Sequence, residues 1–221
     1  MPIARVEGYA ATQLAVAFPT CERSHRVRHR HNSQIPADES SDMSRADRST
    51  FKQRLDGLSV TVSEGPERDC AALIDEAVGE PVVGTATVPL PERVETAPTT
   101  ADLRAAHTGV TEAKLGIAAY GSVAIEADAD GTEPISLFVD RHVVVLRESD
   151  LVPDMPDAFD WLGPRARDES VDVVFATGPS ATADMGGLVH GAHGPKEVHV
   201  VLLRSASATE SAEQAEETTD E

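Results

Sequence analysis

Cysteine, lysine and large aromatic side chains are scarce in this chain of 221 residues. Its two cysteines, Cys21 and Cys70, lie far apart and form no CxxC pair. Two thiols cannot hold an iron–sulfur cluster, which takes about four protein ligands. We therefore expect no cluster, no metal and no other cofactor in this chain. Sparse cysteines also fit a reducing cytoplasm.

Long apolar runs are missing as well. No stretch reaches the ~18 apolar residues that a membrane-spanning helix needs. The mildly apolar residues 9–18 contain Gln13, and the Pro-Thr-Cys that follows is a poor cleavage site, so they do not resemble a secretion signal. We predict a cytoplasmic protein that does not insert into a membrane.

Acidic residues outnumber basic ones, with 38 Asp and Glu against 19 Lys and Arg, giving a net charge of -19. Such a surface repels itself at low ionic strength, and salt screens that repulsion. Together with the few lysines and aromatics, this acidic composition is typical of a halophilic protein. It also argues against a nucleic-acid partner, which needs a basic face.

Composition divides the chain into three parts. Residues 1–42 have balanced charge and a cluster of Arg and His at 21–31. This cluster predicts either a basic or metal-binding arm, or an extension upstream of a true start at Met43, and we favour the extension. Residues 205–221 are acidic and lack large apolar side chains, which is typical of disorder. The foldable domain is therefore residues 43–204.

Within that domain, apolar β-rich runs alternate with helical and turn-rich segments. Helices are predicted at residues 45–55, 67–78 and 157–162, a helix or turn at 111–119, a loop at 89–100 and a polar turn at 127–133. Strands are predicted at residues 58–62, 81–84, 122–126, 142–146, 171–176 and 198–203. Because the strands are continuously apolar, we expect an α/β fold whose sheet is covered on both faces, with strand 142–146 at its centre.

The segment that follows predicted strand 171–176 carries the first candidate site. Gly178, Pro179, Ser180 and Thr182 come directly after this strand. In open α/β sheets, ligands bind outside the carboxyl ends of strands, and free N–H groups in such a loop bind phosphate or carboxylate. A Gly-Pro turn after a strand is more often only a turn, and a ligand-binding loop is the functional alternative that we carry forward as a prediction.

A second turn precedes the last strand and contains His193 and Gly194. His193 is a candidate general acid or base near neutral pH, with Glu197 positioned to orient it. A metal site built from His190, His193 and His199 is the alternative, but the period of two along a strand directs His199 away from the loop. We predict no metal, and we predict that this turn meets the Gly-Pro-Ser turn at one rim of the sheet, around a pocket.

Small and hydroxyl residues form a third cluster, in which Thr111, Gly121 and Ser122 are candidate ligand-binding residues. Tight turns between packed elements explain the same residues equally well. The chain has no GxSxG, GxGxxG, GxxxxGK[ST] or HExxH motif, so a hydrolase, dinucleotide, P-loop or zincin site is not predicted.

Taken in order, these segments resemble the LUD domain family, which is lactate-utilisation protein C-like. The resemblance covers residues 67–203 and rests on motifs that occur in the family's order: Thr108-Gly109-Val110-Thr111, the turn at 116–122, Ile135-Ser136-Leu137-Phe138 before His142, Gly178-Pro179-Ser180-x-Thr182-Ala183-Asp184, and His193-Gly194-Pro195. It implies a Rossmann-like open sheet resembling the ribose-phosphate isomerase and coenzyme A transferase fold. It also implies an accessory subunit in oxidation of L-lactate, or a related 2-hydroxy acid, to pyruvate, with iron–sulfur oxidoreductase subunits as partners.

The sequence departs from the family at three places. Ala119 stands where members usually have an acid, Ala181 where they usually have Arg, and Met185-Gly186 where they often have Ile-Glu. Losing a guanidinium removes a bidentate contact for carboxylate or phosphate, which Arg141 or Lys196 would have to replace. Both a catalytic and a non-catalytic role are consistent with these residues.

Two alternatives to the lactate role follow from the fold and from these departures. The first is an independent enzyme acting on a phosphorylated or acyl ligand, with Asp184, His193 and Glu197 as candidate acid/base residues and residues 178–182 as an anion cradle. The second is a non-catalytic module that binds a small carboxylate or phosphate ligand. Fold analogy alone does not choose between them.

Overall fold

The computed structural model describes residues 37–85, 88–168, 170–184, 187–190 and 194–204. The predicted tail at 205–221 lies outside these residues, as does the predicted extension except for its last six positions. The helices in chain order are α1 (Ala37–Gly57), α2 (Cys70–Ala77), α3 (Thr100–Ala105), α4 (Thr132–Phe138) and α5 (Met155–Asp168). None of the helices among the described residues is long and apolar enough to cross a membrane.

Eleven strands are found in the described parts of the chain. They are β1 (Thr61–Pro66), β2 (Val82–Thr85), β3 (Thr108–Glu112), β4 (Leu115–Ile117), β5 (Ser122–Glu126), β6 (Arg141–Arg147), β7 (Leu151–Val152), β8 (Val173–Thr177), β9 (Ala181–Asp184), β10 (Gly187–His190) and β11 (Glu197–Arg204).

A parallel five-stranded sheet forms the centre of the domain, in the order β1-β11-β6-β3-β2. Its middle strand β6 contains Val143, Val144 and Val145, all fully buried. β-branched residues favour this extended, packed conformation. The predicted α/β class, and the central place of strand 142–146, are therefore confirmed.

A second sheet of four strands, in the order β7-β4-β5-β8, packs on one face of the parallel sheet. Val123 and Ile125 of β5 meet Val144 and Leu146 of β6 in a core that also contains Phe51 of α1. Helix α5 packs against this second sheet through Ala158, and α2 covers the opposite face of the parallel sheet. Both faces of β6 and β11 are thus covered, as their continuous apolar runs predict.

Several element predictions were wrong in position or type. The predicted helix or turn at 111–119 is the end of β3 followed by β4, and its polar Thr111 and Glu112 are buried because β3 lies between two strands. The predicted strand 171–176 is β8, a half-buried edge strand of the second sheet. Helix α1 is longer than the predicted 45–55 and runs through Met43.

Other elements were absent from the prediction. Helix α3 begins where the predicted loop ends, because Thr99 and Asp102 form a reciprocal capping box at its start. Helix α4 begins inside the predicted polar turn, where both oxygens of Asp128 accept hydrogen bonds from Thr132. The hairpin of β9 and β10 was also not predicted. In each case a local hydrogen bond or a strand pairing overrides weak intrinsic propensity.

Candidate functional site

A cavity of about 260 Å³ lies between the parallel sheet and the second sheet. Helix α4 closes one side through Ser136 and Leu137, and Leu55 of α1 closes another. The remaining lining residues come from the two sheets and from the turns that connect their elements: Val60, Gly121, Val123, His142, Val144, Val174, Ala176, Thr177, Gly178, Pro179, Ser180, Gly194, Pro195, Val198 and Val200. Most of these side chains are apolar.

The Gly-Pro-Ser turn and the Gly-Pro turn before β11 meet at the rim of this cavity. The backbone N–H of Ser180 donates a hydrogen bond to the carbonyl of Pro195 at 2.8 Å. A Cβ atom on Gly194 would lie 3.1 Å from Cβ of Ser180, so the two turns are in close contact. The two turns meet beside a pocket as predicted, but they do not lie at the rim of one shared sheet, because residues 178–180 follow β8 of the second sheet and Gly194 precedes β11 of the parallel sheet.

The physical reason given for that pocket was wrong. Residues 178–180 follow β8, which pairs antiparallel with β5 in the second sheet rather than ending at the carboxyl edge of the parallel sheet. From the parallel sheet, the cavity instead takes residues in the first halves of β6 and β11, His142, Val144, Val198 and Val200. The site therefore lies at the amino ends of these strands, between two layers.

Two glycines with positive φ hold the turn between α1 and β1 against this site. Gly121 and Gly178 both have φ of +67°, a conformation that side chains rarely adopt. A Cβ on Gly121 would lie 3.2 Å from Leu58, and one on Gly178 would lie 3.3 Å from the same residue. Leu58 therefore packs against both turns, and each glycine serves backbone geometry and close packing together.

His142 is the most deeply buried titratable group at the cavity, with 2% of its surface exposed. Its Nε2 atom lies 2.7 Å from the hydroxyl of Thr111, which is itself fully buried behind it. Burial lowers the pKa of His142 to about 4, so the imidazole is neutral at pH 7. The sequence analysis names His142 only as part of a family motif and assigns it no site role, although a histidine at the start of a run of buried valines was a usable signal.

The other residues of the third cluster have different environments. Gly121 lines the cavity. Ser122 is buried, and its hydroxyl lies 2.7 Å from the hydroxyl of Thr177 on the neighbouring strand. Thr111 contacts the cavity only through His142. Of the three predicted ligand-binding residues, one therefore lies at the cavity wall and two stand behind it.

Glu197 lies outside the cavity, in a second groove of about 380 Å³. Its carboxylate accepts a hydrogen bond from Arg141 at 2.7 Å, and Lys196 in the same groove pairs with Asp140 at 2.7 Å. Ala181 also lines this groove, so the two cations lie near the position where the family usually has Arg. Both already have carboxylate partners, which lowers their attraction for an added anion.

The remaining predicted residues are only partly described. Thr182 and Asp184 lie in β9, but the structure describes only their backbone, and His193 lies outside the described residues. His199 points away from the cavity, since its ring nitrogens lie within 2.9 Å of the hydroxyls of Thr61 and Ser63. Among the described residues, no three His, Cys, Asp or Glu side chains form a metal-binding group. The roles proposed for Asp184 and His193 stay predictions.

The chemistry of the described cavity is therefore apolar, with a few neutral polar groups. None of its described lining residues is charged at pH 7, since His142 is neutral. The N–H of Ser180 is already bonded to Pro195, so it is not a free donor for an anion. Such a site suits an aliphatic group that carries one hydrogen-bonding oxygen.

Comparison with known proteins finds relatives over part of the chain. Proteins named lactate utilization protein C match at 29% identity over 102 residues in Bacillus velezensis, 29% over 105 residues in Deinococcus radiodurans and 30% over 102 residues in Bacillus licheniformis. These matches cover 44%, 47% and 44% of this chain. The chain spans less than half of each relative, 42%, 49% and 42% of their lengths.

A solved structure supports the same fold. The crystal structure of a DUF162 family protein from Deinococcus radiodurans matches with a TM-score of 0.58 and 19% identity, covering 72% of this chain and 98% of the other. A family comparison then matches the LUD domain over residues 54–203, well over half of the 221 residues. The chain belongs to the LUD domain family.

Proposed function

We propose that this chain is an accessory subunit in the oxidation of L-lactate, or of a related 2-hydroxy acid, to pyruvate or the corresponding 2-oxo acid. The observation that carries the proposal is the LUD domain match over residues 54–203, together with relatives named lactate utilization protein C. The cavity of about 260 Å³ has room for a small organic molecule.

In our proposal, partner proteins accept the electrons that this reaction releases. Oxidation of a 2-hydroxy acid removes two electrons and two protons, and both electrons need an acceptor. The chain has two cysteines, too few to hold an iron–sulfur cluster alone. We assign the acceptor to iron–sulfur oxidoreductase subunits that bind this chain in the cytoplasm.

Deletion of the gene tests this role. We expect the deletion strain to lose growth on L-lactate or on another 2-hydroxy acid, while growth on pyruvate stays normal because the product bypasses the step. Restoring the gene on a plasmid should restore growth. A tagged chain should also co-purify with iron–sulfur proteins, detected by their visible absorption. Unchanged growth on every 2-hydroxy acid tried would rule the role out.

The apolar cavity favours one alternative, a binding module for an acyl ligand. A phosphorylated ligand has less support, because Arg141 and Lys196 are already paired with carboxylates. Titration with sugar phosphates and with coenzyme A thioesters distinguishes these ligands. Binding of a thioester, combined with unchanged growth of the deletion strain, would favour the module over the lactate role.

A further inference from the structure

The groove of about 380 Å³ combines positive charge with apolar walls. Arg141 and Lys196 line it, and Leu58, Pro179 and Val198 supply apolar contacts. Pro179 and Val198 also line the neutral cavity, so the groove adjoins that cavity. A small anion with an aliphatic part finds both kinds of contact in the groove, whereas the cavity offers it only the apolar one.

The guanidinium of Arg141 has more hydrogen-bond donors than the fold uses. Nη1 donates to Oε2 of Glu197 at 2.7 Å, whereas Nε is buried and has no hydrogen-bond partner among the described residues. A buried N–H without a partner costs free energy, which a bond to a ligand would recover. A carboxylate matches this group, because its two oxygens accept parallel hydrogen bonds from two nitrogens of one guanidinium.

Glu197 already places a carboxylate on this cation. Its side chain is 62% exposed, and Lys196 pairs with Asp140, whose side chain is 52% exposed. Exposed pairs of this kind contribute little to stability, so Glu197 turns into solvent at small cost when another carboxylate arrives. The pair therefore shows which chemical group Arg141 accepts, and it makes Glu197 a competitor of a ligand.

Ser59 adds a hydroxyl to the same groove in a strained backbone conformation. Its φ is +59°, and among the described residues it is the only one other than glycine with a positive φ. Such strain is concentrated at functional sites. Glycine adopts this conformation without cost, yet the chain has serine here, exposed in the groove. A hydroxyl at this position favours a ligand that carries an oxygen beside its carboxylate.

We propose that this groove binds a small 2-hydroxy or 2-oxo monocarboxylate such as L-lactate, with its carboxylate on Arg141 and Lys196 and its 2-oxygen at Ser59. This inference rests on the proposed function and assigns its substrate to the groove rather than to the neutral cavity. The aliphatic part of the acid contacts Leu58, and binding displaces Glu197 from Arg141. Phosphate is disfavoured, because the carboxylates of the two ion pairs already offset both cations.

Ligand-detected NMR titration of the full chain tests the site, at the lowest KCl concentration that keeps the chain folded. The probes are L-lactate, lactamide, propionate and inorganic phosphate, of which lactamide lacks the charge and propionate lacks the hydroxyl. We expect lactate to bind most tightly, propionate more weakly, and lactamide at least about tenfold more weakly than lactate, since charge-assisted bonds are lost. Lactamide or phosphate binding as tightly as lactate, or no binding of lactate at millimolar concentration, would overturn the proposal.

Two substitutions in one ion pair should change the affinity for lactate in opposite directions. Arg141→Gln should weaken binding at least about tenfold, because the charged donor is lost. Glu197→Gln should tighten binding about two- to fivefold, because the competing carboxylate is gone. Damage to the fold would weaken binding in both variants, so unchanged or weaker binding in Glu197→Gln counts against the site. Arg93→Gln is the matched control, because Arg93 pairs with the exposed Asp75 outside this groove; it should bind lactate as the wild type does, and a loss equal to that of Arg141→Gln would contradict the assignment.

Ser59→Gly removes the hydroxyl without straining the backbone, since glycine adopts a positive φ readily. The melting temperature should not fall. Lactate should bind about two- to tenfold more weakly, whereas propionate, which has no 2-oxygen, should keep its affinity. Equal loss for both acids would contradict the contact between Ser59 and the 2-oxygen.

Growth of the deletion strain is a separate measurement. A chain that binds lactate but is not needed for growth on any 2-hydroxy acid would refute the lactate role and keep the site. A chain that is needed for growth but does not bind lactate would refute the site and keep the role.

Discussion

His142 and His199 show how one sheet gives two histidines different surroundings. His142 lines the cavity and lies within hydrogen-bond distance of Thr111. His199 is hydrogen-bonded to Thr61 and Ser63 of β1. Burial lowers the pKa of each to about 4, and the charge of Arg141 adds to the effect at His199. Both rings are therefore neutral at pH 7, and the fold gains nothing from protonating either of them.

The lowered pKa of His142 predicts a specific loss of stability in acid. Its ordinary value is 6.5 and its folded value is about 4, so below pH 6.5 the unfolded chain binds a proton that the folded chain does not. The free energy of unfolding should fall as pH decreases from 6.5 to 4, by up to about 3 kcal/mol from this residue. Above pH 6.5 the contribution is fully present.

Urea unfolding of the wild type and of His142→Asn measures this term, since carboxylate titration affects both proteins alike. The difference in unfolding free energy between the two should shrink steadily as pH falls through this window. A difference that stays constant from pH 7 to pH 4 would mean that the ring does not stay neutral in the folded state.

At the scale of elements, helix α4 depends on a glycine in the strand beneath it. A Cβ on Gly109 of β3 would lie 2.8 Å from Cγ2 of Ile135 and 2.9 Å from the carbonyl oxygen of the same residue. The carbonyl oxygen of Ile135 cannot move away unless the helix backbone moves with it. Gly109→Ala should therefore push α4 outward and lower the unfolding free energy by about 1–3 kcal/mol. Because α4 carries Ser136 and Leu137, the cavity should widen too.

Gly57→Ala is the matched control, since a Cβ there meets nothing within 4 Å. Thermal unfolding of both variants compares the same chemical change in a tight and an open position. If the two variants unfold at the same temperature, close packing of α4 on β3 is not what requires glycine at position 109.

Sequence predicts an element well when its local apolar pattern matches the burial that the element has in the folded structure. The valines of β6 make an unambiguous buried strand, and Phe51 with Leu55 forms the expected i, i+4 pair of α1, both fully buried. The prediction of a helix or turn at residues 111–119 was wrong because the polar Thr111 and Glu112 and the small Gly116 do not form a strand pattern. Their strand state depends on pairing with β2, β6 and β5, which local sequence does not encode.

The candidate site was predictable in part for the same reason. The Gly-Pro-Ser and Gly-Pro turns have turn chemistry that is visible in sequence, and they do meet. The layer in which they meet depends on β8 joining the second sheet rather than the first. His142 was assigned no site role because a single histidine among valines predicts a strand, and only tertiary packing turns its side chain toward a cavity.

At the scale of the whole molecule, charge is the dominant feature. A net charge of -19 over 221 residues far exceeds what local pairing neutralises. Most ion pairs among the described residues, such as Lys52 with Glu64, are partly exposed, and each of these contributes about 0–1 kcal/mol. The pair of Arg147 with the buried Glu112 is an exception. We therefore expect long-range repulsion among the unpaired acids to outweigh these pairs at low ionic strength.

This balance predicts that salt stabilises the protein. The melting temperature should rise with KCl, because screening weakens the net repulsion more than it weakens the exposed pairs. Glu76 and Glu92 are exposed and have no ion pair among the described residues. Replacing each with Gln should raise the low-salt melting temperature by about 1–2 °C and reduce the further gain from KCl. Sucrose, which does not screen charge, serves as the control. If sucrose and KCl change the melting temperatures of the wild type and the Gln variants alike, electrostatic repulsion does not limit the stability of this fold. A melting temperature that falls with KCl would lead to the same conclusion.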